Sequence, residues 1–257
     1  MFGEEYQAAC NAAKGKLNLL EKNPLGYFMS SCMAGLFIGL GSILMCIVGG
    51  YFSAGGSYAT KLISGLIFSV GLCFVVMAGA ELFTGNNFVM SCAALKKEMS
   101  WGKVCKVWAV CFLGNLAGSV IVSILFALTG IGGGEEVGTF IANTAAAKMA
   151  GAPLQLFTKA ILCNICVCLA VWCSIKMKTE AGKVALIICG VMTFVACGFE
   201  HSIANMTFFS IALLNHSGEA VTIGGALYNL VIVTLGNMVG GVLFVGVPYY
   251  LISRNTK

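Results

Sequence analysis

Ionisable side chains stand deep inside two long apolar stretches of this 257-residue chain: Glu81 in segment 62–95, and Glu200 with His201 in segment 184–214. A charge at membrane depth is costly, so an ionisable residue there is a functional candidate by default. His201 brings an imidazole that titrates near neutrality; its alternative role is a neutral ring tying one helix to its neighbours. Thr84 carries a hydroxyl that can donate to an anion or receive a proton, or bond back to a helix carbonyl. Glu81 and Glu200 each sit in the pattern Gly-x-Glu-x-x-x-x-Asn, formed by Gly79, Glu81 and Asn86 and again by Gly198, Glu200 and Asn205. Each carboxyl is read as structural, accepting N–H donors of its own segment or sitting protonated, with its matched Asn nearby.

The elements that position these groups follow from the apolar runs. Segments 25–51, 62–95, 107–130, 154–175, 184–214 and 222–252 make six candidate crossings. The second and fifth are too long for one straight crossing, yet residues 82–95 are too short to cross alone at about 1.5 Å per residue. A helix broken near Glu81 and another near Glu200 account for both lengths. Broken backbone at that depth is tolerated where it is buried or lines a polar cavity. A second repeat joins the first: Gly114-Asn115-Leu116-Ala117-Gly118 matches Gly236-Asn237-Met238-Val239-Gly240. Two motifs in the same order mean duplication, and halves of three crossings each must sit inverted in the membrane.

Residues 4–22 place Tyr6, Ala9, Ala13, Leu17 and Leu20 at steps of three and four, the pattern of an amphipathic helix on the membrane surface. The chain therefore divides into a cytoplasmic helix (1–23), a six-helix membrane domain (24–253) and a cytoplasmic tail (254–257). Twelve Lys and Arg fall on the side of both termini and three on the other, so both termini are expected in the cytoplasm. Nothing in the first apolar run resembles a cleaved secretory signal. The composition, 59% hydrophobic and 10% charged, is far from the roughly 25% charged of a soluble domain. The net charge of +5 is spread over loops and termini without an aromatic-interleaved stripe, which argues against nucleic acid. The thirteen Cys include an isolated Cys163-x-x-Cys166 without a second pair or a His at metal spacing. They read as small buried hydrophobes in a reducing habitat, with neither metal nor cofactor implied.

The strings Ala80-Glu81-Leu82-Phe83-Thr84-Gly85-Asn86-Asn87 and Gly198-Phe199-Glu200-His201-Ser202-Ile203-Ala204-Asn205-Met206 resemble the broken second and fifth helices of the formate/nitrite transporter family. The resemblance covers essentially the whole chain. It implies an all-α, aquaporin-like protomer, a homopentamer in the inner membrane with one pore per protomer, and a channel for small monovalent anions. Within the family, Asn86 and Asn87 lean toward the hydrosulfide branch of anaerobic bacteria, ahead of formate or nitrite. Carried over by position, the cytoplasmic constriction is Phe68, Leu72 and Leu82, and the extracellular one is Phe83, Val167 and Phe194. The chamber between them holds Thr84 and His201, with Lys148 and Asn164 in support. Lys148 is either a solvated loop lysine or a cation that concentrates anions near the extracellular vestibule.

Two other classes fit less well. A water or glycerol channel of similar symmetry should carry paired Asn-Pro-Ala triplets, and the sequence has none. An enzyme needs clustered carboxylates, an activated nucleophile or metal ligands at one depth. The expectation is a channel or proton-coupled carrier without catalytic residues.

Overall fold

A computed structural model describes residues 1–215 and 217–254. Of the expected tail 254–257, only Arg254 falls within them. The described chain is built of helices: α1 (Gly3–Lys22), α2 (Pro24–Ala54), α3 (Thr60–Phe74), α4 (Phe83–Leu95), α5 (Trp101–Leu128), α6 (Glu135–Met149), α7 (Pro153–Lys176), α8 (Glu180–Ala196), α9 (Ser202–Leu214), α10 (Ile223–Gly241) and α11 (Val247–Ser253). One π-helical turn, Val75–Gly79, extends α3 to the first break, and another, Val242–Gly246, joins α10 to α11.

Five helical stretches are long and apolar enough to cross a membrane: Pro24–Ala54, Thr60–Gly79, Trp101–Leu128, Pro153–Lys176 and Ile223–Ser253. Apolar side chains such as Leu113, Leu125, Leu227 and Val231 remain exposed on their outer faces, as a lipid solvent requires. This is an integral membrane protein. The fifth segment read from the sequence is divided into α8 and α9, each shorter than a full crossing.

Both interruptions use the same local device. Gly79 and Gly198 adopt left-handed φ of +80° and +70°. The next residue's N–H then reaches back five positions, Ala80 to the Val75 carbonyl and Phe199 to the Phe194 carbonyl, each at 2.9 Å. This glycine-terminated closure satisfies carbonyls that a helix end would otherwise orphan, and a side chain at either glycine would be strained. Extended backbone at Leu82 and at His201 leads into α4 and α9.

The Gly-Asn-x-x-Gly motifs set the closest helix crossings. α5 lies along α2 and α10 along α7. A Cβ at Gly118 would stand 1.9 Å from the Cys32 carbonyl oxygen, and one at Gly240 would stand 2.4 Å from that of Ile161. Only hydrogen fits at either crossing, the small-residue packing that membrane helices favour.

Helix α1 departs from the expectation of a surface helix. Its apolar stripe, Tyr6, Ala9, Ala13, Leu17 and Leu20, is buried within the protein, chiefly against α4. Lys14 pairs with Glu98 at 2.6 Å and Lys103 with Glu21 at 3.6 Å. Periodicity reports that a face is apolar but not what covers it, and here the cover is protein.

Candidate functional site: two helix breaks and the contact between them

Around each break one asparagine satisfies the interrupted backbone. Asn115 on α5 donates to the carbonyls of Ser31 and Glu81, both at 2.8 Å, and accepts the Phe83 N–H at 2.9 Å. Asn237 on α10 donates to the carbonyls of Ala160 (2.8 Å) and Glu200 (3.0 Å) and accepts the Ser202 N–H at 2.9 Å. The Glu81 N–H meets the Ser30 carbonyl and the Glu200 N–H that of Lys159. Each bond has its counterpart at the matching position of the other break. Both asparagines are fully buried, so these bonds replace water where none is available.

Each break also carries a lysine, a carboxylate and an amide. Glu81 accepts from Lys16 at 2.7 Å, Asn86 at 2.9 Å and the Tyr27 hydroxyl at 3.3 Å. Glu200 accepts from Lys148 at 3.0 Å and Asn205 at 2.7 Å. Asn205 also donates to Asn229, which donates to the Lys148 carbonyl. The matched Asn is beside its carboxyl at both breaks, but the N–H donors supposed for the carboxyls serve no such purpose. The lysines do instead, and ion pairing offsets the cost of burying each carboxylate.

His201 and Thr84 meet between the breaks, with Thr84 Oγ1 at 2.9 Å from His201 Nε2. His201 is the N-cap of α9, and its Nδ1 accepts the Ala204 N–H at 3.1 Å. The cap assigns the tautomer: the neutral ring carries its proton on Nε2 and gives it to Thr84 Oγ1. The Thr84 hydroxyl hydrogen is then free for a third group. A proton added at Nδ1 would displace the cap bond. At α4 the matching cap position is Leu82, which makes no such bond. The N–H groups of Thr84 and Gly85 consequently have no acceptor among the described residues, leaving a helix start that favours negative charge.

Two cavities border this region, one reaching His201 and the other reaching Gly85, the residue after Thr84; Thr84 itself is fully buried and lines neither. One of about 900 Å³ is lined by Phe68, Phe194, His201 and Lys148. The other, about 310 Å³, is lined by Leu72, Leu82, Gly85 and Lys16. The structure thus brings Phe68 to Phe194, with ring centroids 6.0 Å apart, and Phe194 stacks on His201 at 5.7 Å. Phe68 lines the cavity of Phe194 and His201, while Leu72, one turn further along α3, and Leu82 line the other. Phe83 packs on Phe112 and Trp108 instead, at 5.2 and 6.4 Å, and Val167 is buried on α7; neither lines either cavity. Asn164 is fully buried behind Thr84, donating to the carbonyls of Asn237 (2.6 Å) and Thr84 (3.3 Å) and to Asn87 Oδ1 (3.1 Å). Asn86 and Asn87 are thus engaged with Glu81 and Asn164 respectively.

Among the described residues, no group of three or more His, Cys, Asp or Glu is placed to hold a metal ion. Sequence reasoning missed Lys16, Tyr27, Asn229 and the role of Asn115 and Asn237. Only the last two had a signal, since the repeated Gly-Asn-x-x-Gly marked them without revealing their task.

Comparison with known proteins agrees with this architecture. The chain is 38% identical over 254 residues to the nitrite transporter NirC of Salmonella typhimurium, covering 98% of this chain and 91% of that protein. It is 32% identical over 264 residues to the formate channel FocA of Haemophilus influenzae, covering 95% and 91%. A solved structure described as an FNT family ion channel superposes with a TM-score of 0.91 at 34% identity, covering 98% and 99% of the two chains. One described as a pentameric formate channel with formate bound superposes with a TM-score of 0.77 at 31% identity, covering 90% and 98%. The family pattern described as formate/nitrite transporter matches residues 3–251, and the chain belongs to that family.

Proposed function

We propose that this chain forms a selective pore for small monovalent anions, with hydrosulfide as first substrate, and that the anion meets a hydrogen-bond donor at the Thr84–His201 contact. What supports this reading is that contact together with the cavities beside it, one lined by His201, Phe68 and Phe194 and the other by Gly85, Leu72 and Leu82. An anion in such a constriction loses hydration that apolar side chains do not replace. A hydroxyl hydrogen from Thr84, oriented by His201, supplies one partner, and the uncapped start of α4 supplies a favourable field. Protonation of the anion by water in the cavity, which leaves hydroxide behind, removes the charge from the anion, with Thr84 and His201 orienting it by hydrogen bonds rather than giving up a proton. Hydrogen sulfide is a much weaker acid than formic or nitrous acid, so hydrosulfide takes up a proton most readily of the three.

In this reading α8 and α9 together make a sixth crossing, the halves are inverted, and the α1 face is cytoplasmic at the inner membrane. The supports are the matched hydrogen bonds at the breaks and the 12-to-3 distribution of Lys and Arg. Assembly as a pentamer is proposed on the likeness to the pentameric formate channel. Nitrite is the second reading, favoured by the 38% identity to a named nitrite transporter.

Flux of hydrosulfide, nitrite, formate and chloride into proteoliposomes, with and without a pH gradient, tests the proposal. Hydrosulfide should lead and chloride should be slowest; a nitrite lead would select the second reading. Thr84→Val keeps shape but deletes the hydroxyl, and His201→Phe deletes the titratable group. Each should slow flux about tenfold or more, the loss of roughly one charge-assisted hydrogen bond. Parent-rate conduction by both variants would remove the contact from the mechanism.

A further inference from the structure

Resting on the pore reading, we infer that the pore rectifies: anions are admitted faster through the mouth beside α1 than through the mouth beside α6. The basis is the charge that each mouth leaves uncommitted. In the α6-side cavity Lys148 is cancelled by Glu200. What remains in the lining is Lys61 with Glu135 and Glu136, all three exposed and none in an ion pair among the described residues. An anion approaching there meets a net charge of −1 at the rim.

The opposite mouth differs in sign. In the α1-side cavity Lys16 is cancelled by Glu81, and no other charged residue lines it. Around it, however, the α1-bearing face of residues 1–254 holds eleven Lys and Arg against six Glu, while the α6-bearing face holds three Lys against four Glu. A mouth with excess positive charge raises the local anion concentration and the rate of capture. The central contact is shared by both directions and cancels in a comparison of them. The neutral acid, which feels neither mouth, crosses equally both ways. Current carried by the anion therefore has a preferred direction, and flux of the neutral form does not.

The expected size follows from elementary electrostatics. A unit charge acting across roughly 8 Å of water changes the local anion concentration about twofold. Rectification of about twofold or more is expected near 0.01 M salt, where screening extends to roughly 30 Å, and should vanish near 1 M, where it extends to about 3 Å.

The test is current–voltage recording from single insertions of the full-length protein in planar bilayers, so that opposite orientations do not average. Sodium nitrite, formate and hydrosulfide are used in turn as the only salt, at equal concentration on both sides. The Glu135→Gln/Glu136→Gln double variant turns the rim from −1 to +1 and should bring the current ratio near 1 or reverse it. Lys61→Gln should increase the ratio about twofold; moving it opposite to the double variant separates charge from damage to the fold. A linear current in dilute salt, or a rectification that survives 1 M salt or ignores both variants, would overturn the inference while leaving the pore intact. Absence of current with every anion while flux into proteoliposomes persists would overturn this inference and leave the pore reading standing; absence of both current and flux would overturn the pore reading as well.

Discussion

The two helix breaks share a scaffold and differ at the residue that caps the second half-helix. At both, a left-handed glycine ends the first half-helix, a buried asparagine on a neighbouring helix stitches the exposed backbone, and a lysine neutralises the glutamate. The residue that caps the second half-helix is not shared: Leu82 before α4, His201 before α9. A symmetrical molecule with histidine at both would hold two titratable sites; one with leucine at both would hold none. The matched scaffold supplies the architecture, and the departure from it at the cap supplies one polar contact beside apolar side chains.

The shared part is tested first and should give the largest effect. Asn115→Leu and Asn237→Leu each strand two buried carbonyls and one N–H, at about 1–3 kcal/mol per group. A loss of roughly 5 kcal/mol approaches the whole stability of many proteins. Neither variant should accumulate as folded protein in the membrane fraction, measured by size-exclusion chromatography in detergent. Near-parent yield of either one would mean that its break is held by something other than this stitch. The Asn→Asp variants retain the acceptor and lose the donors, and should fall between.

A smaller effect should separate the breaks. The Lys148–Glu200 side chains are 16% and 6% exposed, against 20% and 12% for Lys16–Glu81. Glu81 also keeps the Tyr27 hydroxyl and Asn86 when its lysine is removed, whereas Glu200 keeps only Asn205. Removing one partner of a buried pair costs about 3–5 kcal/mol, and far less where water or other donors remain. Lys148→Met should therefore lower the thermal midpoint more than Lys16→Met, with about 3 kcal/mol between parent and variant in the first case and about 1 kcal/mol in the second. Equal shifts would show that burial does not distinguish the two pairs.

What the sequence made legible was local. Gly-x-Glu-x-x-x-x-Asn marked both breaks because a left-handed glycine, a carboxylate and its amide lie within eight residues of one another. His201 was legible because a titratable side chain in an apolar run is rare. The lysine partners were not, since Lys16 lies 65 residues from Glu81 and Lys148 lies 52 residues from Glu200, and no spacing rule spans such distances. The meeting of Phe68 with Phe194 was hidden for the same reason. On sequence, both are ordinary apolar residues of separate helices. The burial of α1 was half legible, since its stripe announced a partner without saying whether lipid or protein would provide it.

The smallest expected effect concerns how Lys16 is delivered. Lys148 sits on α6 between two crossings, but Lys16 belongs to α1, which is fastened to the α4–α5 turn by Glu98 holding Lys14 and Gln7 and by Lys96 donating to Gln7. The Lys14 hydrogen bond, helped by Lys96 and Gln7, holds the Glu98 carboxyl below the usual carboxylate range. A depressed carboxylate stabilises the docked helix above its unfolded pKa, and the contribution is lost as pH falls through the folded pKa. Because these ion pairs are partly solvated, the fastening is worth about 1 kcal/mol or less. Cys10 reports on it: the thiol is fully buried under α1 and burial pushes its pKa up to about 11, so a docked α1 protects it from alkylation. Glu98→Gln at neutral pH should speed maleimide labelling of Cys10 about two- to fivefold, in a background with the exposed Cys105, Cys189 and Cys197 replaced. Adding salt should reproduce part of that gain in the parent and little in the variant. Labelling unchanged by either would place the hold on α1 in its apolar stripe alone, and the two lysines would then be delivered with equal firmness.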